Sequence, residues 1–222
     1  MRILLTGVTG TAGSAVLREA LVDSRIQDVI CVSRRSPAET SSKVRSLALH
    51  DFANWKPVQG RLAGIDAAIW SLGISQTQVT RDELRRVTHD FTIAGAKAIK
   101  DESPDVAFVF LSGGGADPTL KSRMPFAVEK GRTENALDAM GFRRNHHIRP
   151  AYIHPEKPGG TKPFAERLLS GLEPVVRAVW PSAVIHARDL ARAMIAVALN
   201  GDEKHVLENR DLRRLAGLTR GI

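Results

Sequence analysis

Leu5-Thr6-Gly7-Val8-Thr9-Gly10-Thr11-Ala12-Gly13 is the stretch on which the fold turns. It follows a short apolar run, Arg2 to Leu5, and opens an amphipathic stretch near Thr11 to Ser24. In that stretch Ala15, Val16, Leu17, Ala20, Leu21 and Val22 are apolar, while Arg18, Glu19 and Asp23 mark a wet side, as a helix of period 3.6 requires. A second apolar run, Val29 to Val32, lies at the distance expected of a βαβ unit. The glycine spacing, G-x-x-G-x-x-G, gives a tight turn, a close approach of backbone to ligand, and room for strand and helix to pack. Free N–H groups and a partial positive charge at the helix N-terminus suit a pyrophosphate, and the Thr9 and Thr11 hydroxyls add donors. In isolation such a turn is only a strand-to-helix bend; in this context it predicts dinucleotide binding by Gly7, Thr9, Gly10, Thr11, Ala12 and Gly13.

The end of the second run bears on which dinucleotide is held. A carboxylate there binds a ribose 2′-hydroxyl, whereas a guanidinium accommodates a 2′-phosphate. The chain reads Ser33-Arg34-Arg35, with no acidic residue until Glu39. Arg34 and Arg35 therefore favour NADP(H) over NAD(H).

Outward from this unit, short apolar runs alternate with longer amphipathic ones, predicting a doubly wound parallel α/β sheet with helices on both faces. A weak third strand precedes Asp51 and Phe52, and a fourth covers Ile65 to Leu72. A long helix spans Thr80 to Lys100, a very apolar strand Val106 to Leu111, a helix Phe126 to Met140, and a strand His146 to Ile153. Beyond Pro155 the breakers Pro158, Gly159, Gly160 and Pro163 lead to helical stretches Phe164 to Leu172 and Ala187 to Leu199. These show no strand alternation and predict a small C-terminal cap. The expectation is one domain over 1–222, with a cofactor-binding core in 1–155 and the cap in 156–222.

The 222 residues, 43% hydrophobic, can bury one sizeable core. No apolar run reaches the roughly 20 residues of a membrane span, and Met1 to Leu5 runs straight into the glycine turn without a signal-peptide pattern. The single cysteine, Cys31, excludes intrachain disulfides and cysteine-rich metal sites. A cytoplasmic protein follows by default. The net charge of +8 and pI near 10.1 are compatible with nucleic acid. The basic pairs Arg85/Arg86, Arg143/Arg144 and Arg213/Arg214 are scattered, however, and aromatics are only 5%, so the charge reads as solvated surface. No metal site is expected. His146 and His147 alternate to opposite faces of a strand, and His154, His186 and Asp189 are far apart in sequence.

With these segments in order, the chain resembles the short-chain dehydrogenase/reductase superfamily, and within it the atypical, Tat-interacting-protein-like branch. The resemblance rests on the glycine turn, Trp70-Ser71-Leu72-Gly73, Val87-Thr88-His89-Asp90-Phe91 and Phe110-Leu111-Ser112-Gly113-Gly114-Gly115-Ala116-Asp117. Lys130-Gly131-x-x-Glu134-x-x-Leu137, Gly141-Phe142 and Ile148-Arg149-Pro150 complete it. It implies that Asp51 and Phe52 lie near the adenine, and Ser71, Leu72 and Gly73 near the adenosine ribose or pyrophosphate. It further implies that Lys130 holds the nicotinamide ribose and that Ile153 lies near the nicotinamide.

The resemblance also implies an oxidoreductase using Tyr-x-x-x-Lys, in which the phenol is the proton donor. Here the motif reads Phe126-Ala127-Val128-Glu129-Lys130, and phenylalanine has no proton to give. In the better register Gly113 takes the place of the carbonyl-polarising serine, with Ser112 one residue early and so on the other face. Only Lys130 and a displaced Ser112 remain as catalytic candidates. Tyr152, the only tyrosine, has no lysine at the required spacing, and Ser112 lacks a G-x-S-x-G elbow. Two readings lead, an NADP-dependent oxidoreductase drawing its proton from water or a substrate group and a dinucleotide-binding regulator acting through a protein partner; behind them stands a nucleic-acid-associated protein using the basic surface.

Overall fold

A computed structural model describes residues 1–75, 79–155 and 184–218. Seven parallel strands form one sheet: β1 (Arg2–Thr6), β2 (Asp28–Ser33), β3 (Val44–Ala48), β4 (Ala67–Trp70), β5 (Ala107–Leu111), β6 (Arg144–Arg149) and β9 (Val206–Glu208). Their order is β3-β2-β1-β4-β5-β6-β9, so the chain reverses direction across the sheet between β1 and β4. A separate two-stranded sheet pairs β7 (Tyr152–His154) with β8 (Val184–His186). The predicted doubly wound α/β architecture is therefore the one observed.

Alternation along each strand feeds two cores. Ile3, Leu5, Val29, Cys31, Ile69, Val109 and Ile148 face helix α1 (Thr11–Val22) and helix α5 (Ala187–Asn200). Leu4, Ile30, Val32, Trp70, Phe108 and Phe110 face the other way, with α3 (Phe91–Glu102) and the start of the 3₁₀ segment Lys56–Arg61 over them. The helices α1 and α5 pack together, and Glu19 ties them by accepting from Arg188 at 2.7 Å and Arg192 at 3.0 Å. Burial on both faces explains why these strands read as continuous apolar runs.

Several boundaries shift for physical reasons. The strand expected over Ile65 to Leu72 is only Ala67–Trp70. The helix expected over Thr80 to Lys100 is α2 (Arg81–Arg85), one π turn (Arg86–Asp90), then α3. Thr80 caps it by accepting from the Glu83 N–H at 3.3 Å. The strand expected to run on to Ile153 stops at Arg149, because Pro150 has no N–H for the ladder; Tyr152–His154 starts again in the second sheet. Part of the expected cap is corrected outright. The helix Ala187–Asn200 covers the sheet, and Val206–Glu208 is its seventh strand, followed by α6 (Asn209–Leu215). Three residues are too few to show alternation, so this strand was invisible as a pattern. The stretch Phe164 to Leu172 lies outside the described residues.

One close contact sets a packing limit. A Cβ on Gly95 of α3 would lie 2.3 Å from the Trp70 ring, and Trp70 is itself fully buried against Phe108 and Trp55. Neither the helix nor an indole clamped between aromatics yields cheaply. Gly95→Ala is expected to destabilise the protein by about 1–3 kcal/mol, offset only in part by the better helix propensity of alanine. Urea unfolding would show the midpoint fall; an unchanged or raised midpoint would mean that the indole moves freely.

Candidate dinucleotide-binding site

The carboxyl ends of β1 and β4 and the N-terminus of α1 meet at the glycine turn. Gly7 has φ +69°, in the left-handed region, and a Cβ there would stand 2.4 Å from the Ser71 carbonyl oxygen. A Cβ on Gly13 would stand 2.1 Å from the Gly7 carbonyl oxygen. Both positions therefore require glycine: the first for its backbone and its approach to β4, the second for the approach of helix to turn. Across the same junction the Ser71 hydroxyl donates to the Thr6 carbonyl at 2.5 Å, and the Leu72 N–H donates to the Thr6 hydroxyl at 3.3 Å. Ala12 and Gly13 are buried beneath, whereas Thr9, Gly10 and Thr11 are exposed at the mouth. The N-cap, Gly10, offers no side-chain cap, and the first turn of α1 carries no acid. An anion at this helix end would meet uncompensated N–H groups.

Arg34 and Arg35 follow β2 and are exposed, and neither forms an ion pair among the described residues. Glu39, the first carboxylate after them, is engaged by Arg18 at 3.2 Å. Asp51 is exposed and accepts from the Ala53 N–H, which fixes a turn. Phe52 is buried among Trp55, Trp70 and Phe91, so its ring is committed to the core. Gly73 faces open space. Ile153 lies half-buried in β7.

The second half of the site lies between β5 and α4 (Pro125–Ala139). Pro125 begins that helix, where its missing N–H costs nothing. The Lys130 ammonium is buried, donates to the Leu111 carbonyl at 2.7 Å, and lies 4.6 Å from the Phe110 ring centroid and 5.8 Å from that of Phe126. Burial pushes it down to about 8, against the opposing pull of Glu134. The Ser112 hydroxyl donates to Glu134 at 2.6 Å, and Arg149 holds the same carboxylate through its Nε at 2.9 Å. Ser112 is therefore bound into a buried polar unit. It is Gly113 that meets Phe126, since a Cβ on it would lie 2.6 Å from that ring. Glu134 and Arg149 were legible only as pieces of the resemblance; nothing in their spacing announces a buried ion pair.

The chain superposes on MoeE5 in complex with UDP-glucose and NAD with a TM-score of 0.68 at 19% identity, covering 99% of this chain and 82% of that one. A short-chain dehydrogenase family protein from Francisella tularensis subsp. tularensis SCHU S4 gives 0.67 at 13%, covering 95% and 98%. The Bordetella bronchiseptica enzyme WbmH in complex with NAD+ gives 0.68 at 16%, covering 93% and 74%. The fold is that of the short-chain dehydrogenase/reductase proteins. No family model matches the chain.

Among curated proteins, this chain is 28% identical over 231 residues to "Protein FMP52, mitochondrial" of Chaetomium globosum, covering 96% of this chain and 95% of the relative. It is 26% identical over 211 residues to the protein of that name in Eremothecium gossypii, covering 93% and 92%. These names correct the cytoplasmic expectation: full-length relatives are named mitochondrial. That expectation had rested on missing signals alone, which do not discriminate between compartments. No helix of the described residues is long and apolar enough to cross a membrane.

Proposed function

We propose that this protein binds a nicotinamide dinucleotide at the Gly7–Gly13 turn, taking NADP(H) in preference to NAD(H), in the manner of an atypical dehydrogenase/reductase. The observation that carries the reading is the turn itself, where Gly7 and Gly13 leave no room for a Cβ and α1 presents an uncapped N-terminus. The group would be held by the backbone of Gly7 to Gly13, by Ser71 to Gly73 just after β4, and by Lys130 at the nicotinamide ribose. Asp51 and the Phe52 backbone would lie at the adenine, and Ile153 at the nicotinamide. Exposed, and without an ion pair among the described residues, Arg34 and Arg35 suit a 2′-phosphate. In such a site a nicotinamide dinucleotide supplies a hydride.

The chain's own residues supply less. Position 126 offers a phenyl ring, position 113 no hydroxyl, and the Ser112 hydroxyl is spent on Glu134. An oxidoreductase built this way draws its proton from water or from the substrate. The packing of Phe126 on Gly113 also supports a second reading: a regulator that holds the dinucleotide without turnover and acts through a protein partner. By the name of its relatives, either would work in a mitochondrial setting.

Fluorescence titration tests both halves. NADPH is expected to bind saturably and more tightly than NADH. Arg34→Ala combined with Arg35→Ala is expected to weaken NADPH by about tenfold, the worth of one charge-assisted hydrogen bond, and to leave NADH within about twofold. No saturable binding of either cofactor would overturn the reading. NADH bound more tightly than NADPH, with no effect of the arginines, would remove the phosphate assignment alone. Turnover on a carbonyl panel would then separate oxidoreductase from regulator.

A further inference from the structure

A second constellation lies away from the glycine turn, at the edge of the sheet formed by β6 and β9. Asp138 stands in the last turn of α4, His147 in β6, and His205 immediately before β9. Asp138 Oδ1 is 2.8 Å from His147 Nε2 and 2.6 Å from His205 Nε2, and it also accepts from the Asn145 amide at 2.8 Å. The two imidazoles meet nearly at right angles, 81°, with centroids 4.7 Å apart. Each of the three residues offers one donor atom, and these all lie within 4.8 Å of one another. Among the described residues no other group of three or more such side chains comes together.

We propose that Asp138, His147 and His205 bind a divalent metal ion of the zinc class. Two imidazole nitrogens and one carboxylate oxygen form a ligand set of the catalytic-zinc kind, with a fourth position left open. That position faces a cleft of about 690 Å³ lined by Asp138, His146, His205, Asp202 and Glu203 among others.

Three features favour an ion over a plain hydrogen-bonded cluster. The first is the load on Asp138 Oδ1, which accepts from three side-chain nitrogens although a carboxylate oxygen has two lone pairs. An ion between the rings replaces two of those donors. The second is the helix: a carboxylate in the last turn of α4, with no basic residue there, opposes the helix dipole, and a cation at that end complements it.

The third is prepared geometry. His147 is fully buried in β6, and its backbone N–H donates to the His205 carbonyl at 2.9 Å, which sets the two residues side by side. Tetrahedral zinc separates its ligand atoms by roughly 3.3–3.6 Å, given bonds of about 2.0–2.2 Å. The present contacts must open by less than about 1 Å, and Asp138 and His205, both about half-exposed, have the freedom to do so. His147 Nδ1 has no hydrogen-bond partner among the described residues and does not bear on the choice.

The test uses the full chain stripped with a chelator. Calorimetric titration with zinc is expected to give saturable one-to-one binding, and cobalt(II) in its place a visible d–d absorption of low-symmetry type. His205→Ala removes a half-exposed ligand without touching the core. It should weaken zinc by more than about tenfold and abolish the cobalt band, since losing even an outer-shell partner costs about that much. His50→Ala, at an exposed histidine elsewhere, should change neither. Circular dichroism checks that each variant is folded. Absence of saturable binding in the unsubstituted chain, or equal behaviour of His205→Ala and His50→Ala, would overturn the proposal.

Discussion

Replacing Glu134 by Ala is expected to lower the unfolding free energy by about 3–5 kcal/mol, the largest single-residue loss anticipated in this protein. Glu134 is 2% exposed and holds three donors: the Ser112 hydroxyl and two nitrogens of Arg149. Arg149 is itself largely buried, and its other acidic partner among the described residues is Glu208, at 3.3 Å and half-exposed. Without the carboxylate, a guanidinium and a hydroxyl remain in the interior with their desolvation uncompensated. For a chain of this length the loss corresponds to a fall of roughly 10 °C in Tm. Glu134→Gln keeps an acceptor for Ser112 but not the charge for Arg149, so its loss should be smaller. Denaturant unfolding of the two variants measures both. A loss below about 1 kcal/mol for the alanine variant would show that water reaches Arg149 and that the pair is not a buried one.

This unit marks where sequence reading stopped. The glycine turn was legible because its constraints are local: a left-handed φ at Gly7 and a helix that begins within a few residues. The strands β1, β2, β4 and β5 were legible because burial on both faces makes them apolar throughout. The strand β9 was not, since three residues carry no period and its place beside β6 depends on the rest of the sheet. The same strand brings His205 to His147, fifty-eight residues earlier, so a constellation that needs both was out of reach. The expectation that His146 and His147 would not share a ligand considered the pair alone; His146 turns to the Lys204 carbonyl, while His147 turns to Asp138. The Ser112 hydroxyl turns to Glu134, a partner twenty-two residues further on that no local spacing announces.

Lys130→Met should move stability and cofactor affinity in opposite directions. A buried ammonium whose proton is held only to about pH 8, against 10.5 in an unfolded chain, costs roughly 3 kcal/mol at neutral pH. The sign follows from proton counts. Below about pH 8 both states carry the charge and the whole cost is present. Between about 8 and 10.5 the unfolded chain binds more protons than the folded one, so stability rises with pH. Cys31 acts the other way: burial pushes its thiol up to about 12 from 9.0, so above pH 9 the unfolded chain loses a proton that the folded one keeps, and stability falls. The lysine therefore shows alone only between about pH 8 and 9. Methionine fills a similar volume without the charge, at the loss of the hydrogen bond to Leu111 and the contact with Phe110. The net gain at neutral pH is expected to be about 1–2 kcal/mol, several degrees in Tm, with the rise between pH 8 and 9 abolished. NADPH affinity should meanwhile fall by about tenfold, because the ammonium is the charged donor proposed for the nicotinamide ribose. A residue kept at a cost to folding is thereby separated from one that merely fills the core. A variant less stable at pH 7, with NADPH binding unchanged, would assign Lys130 to structure and remove it from the proposed site.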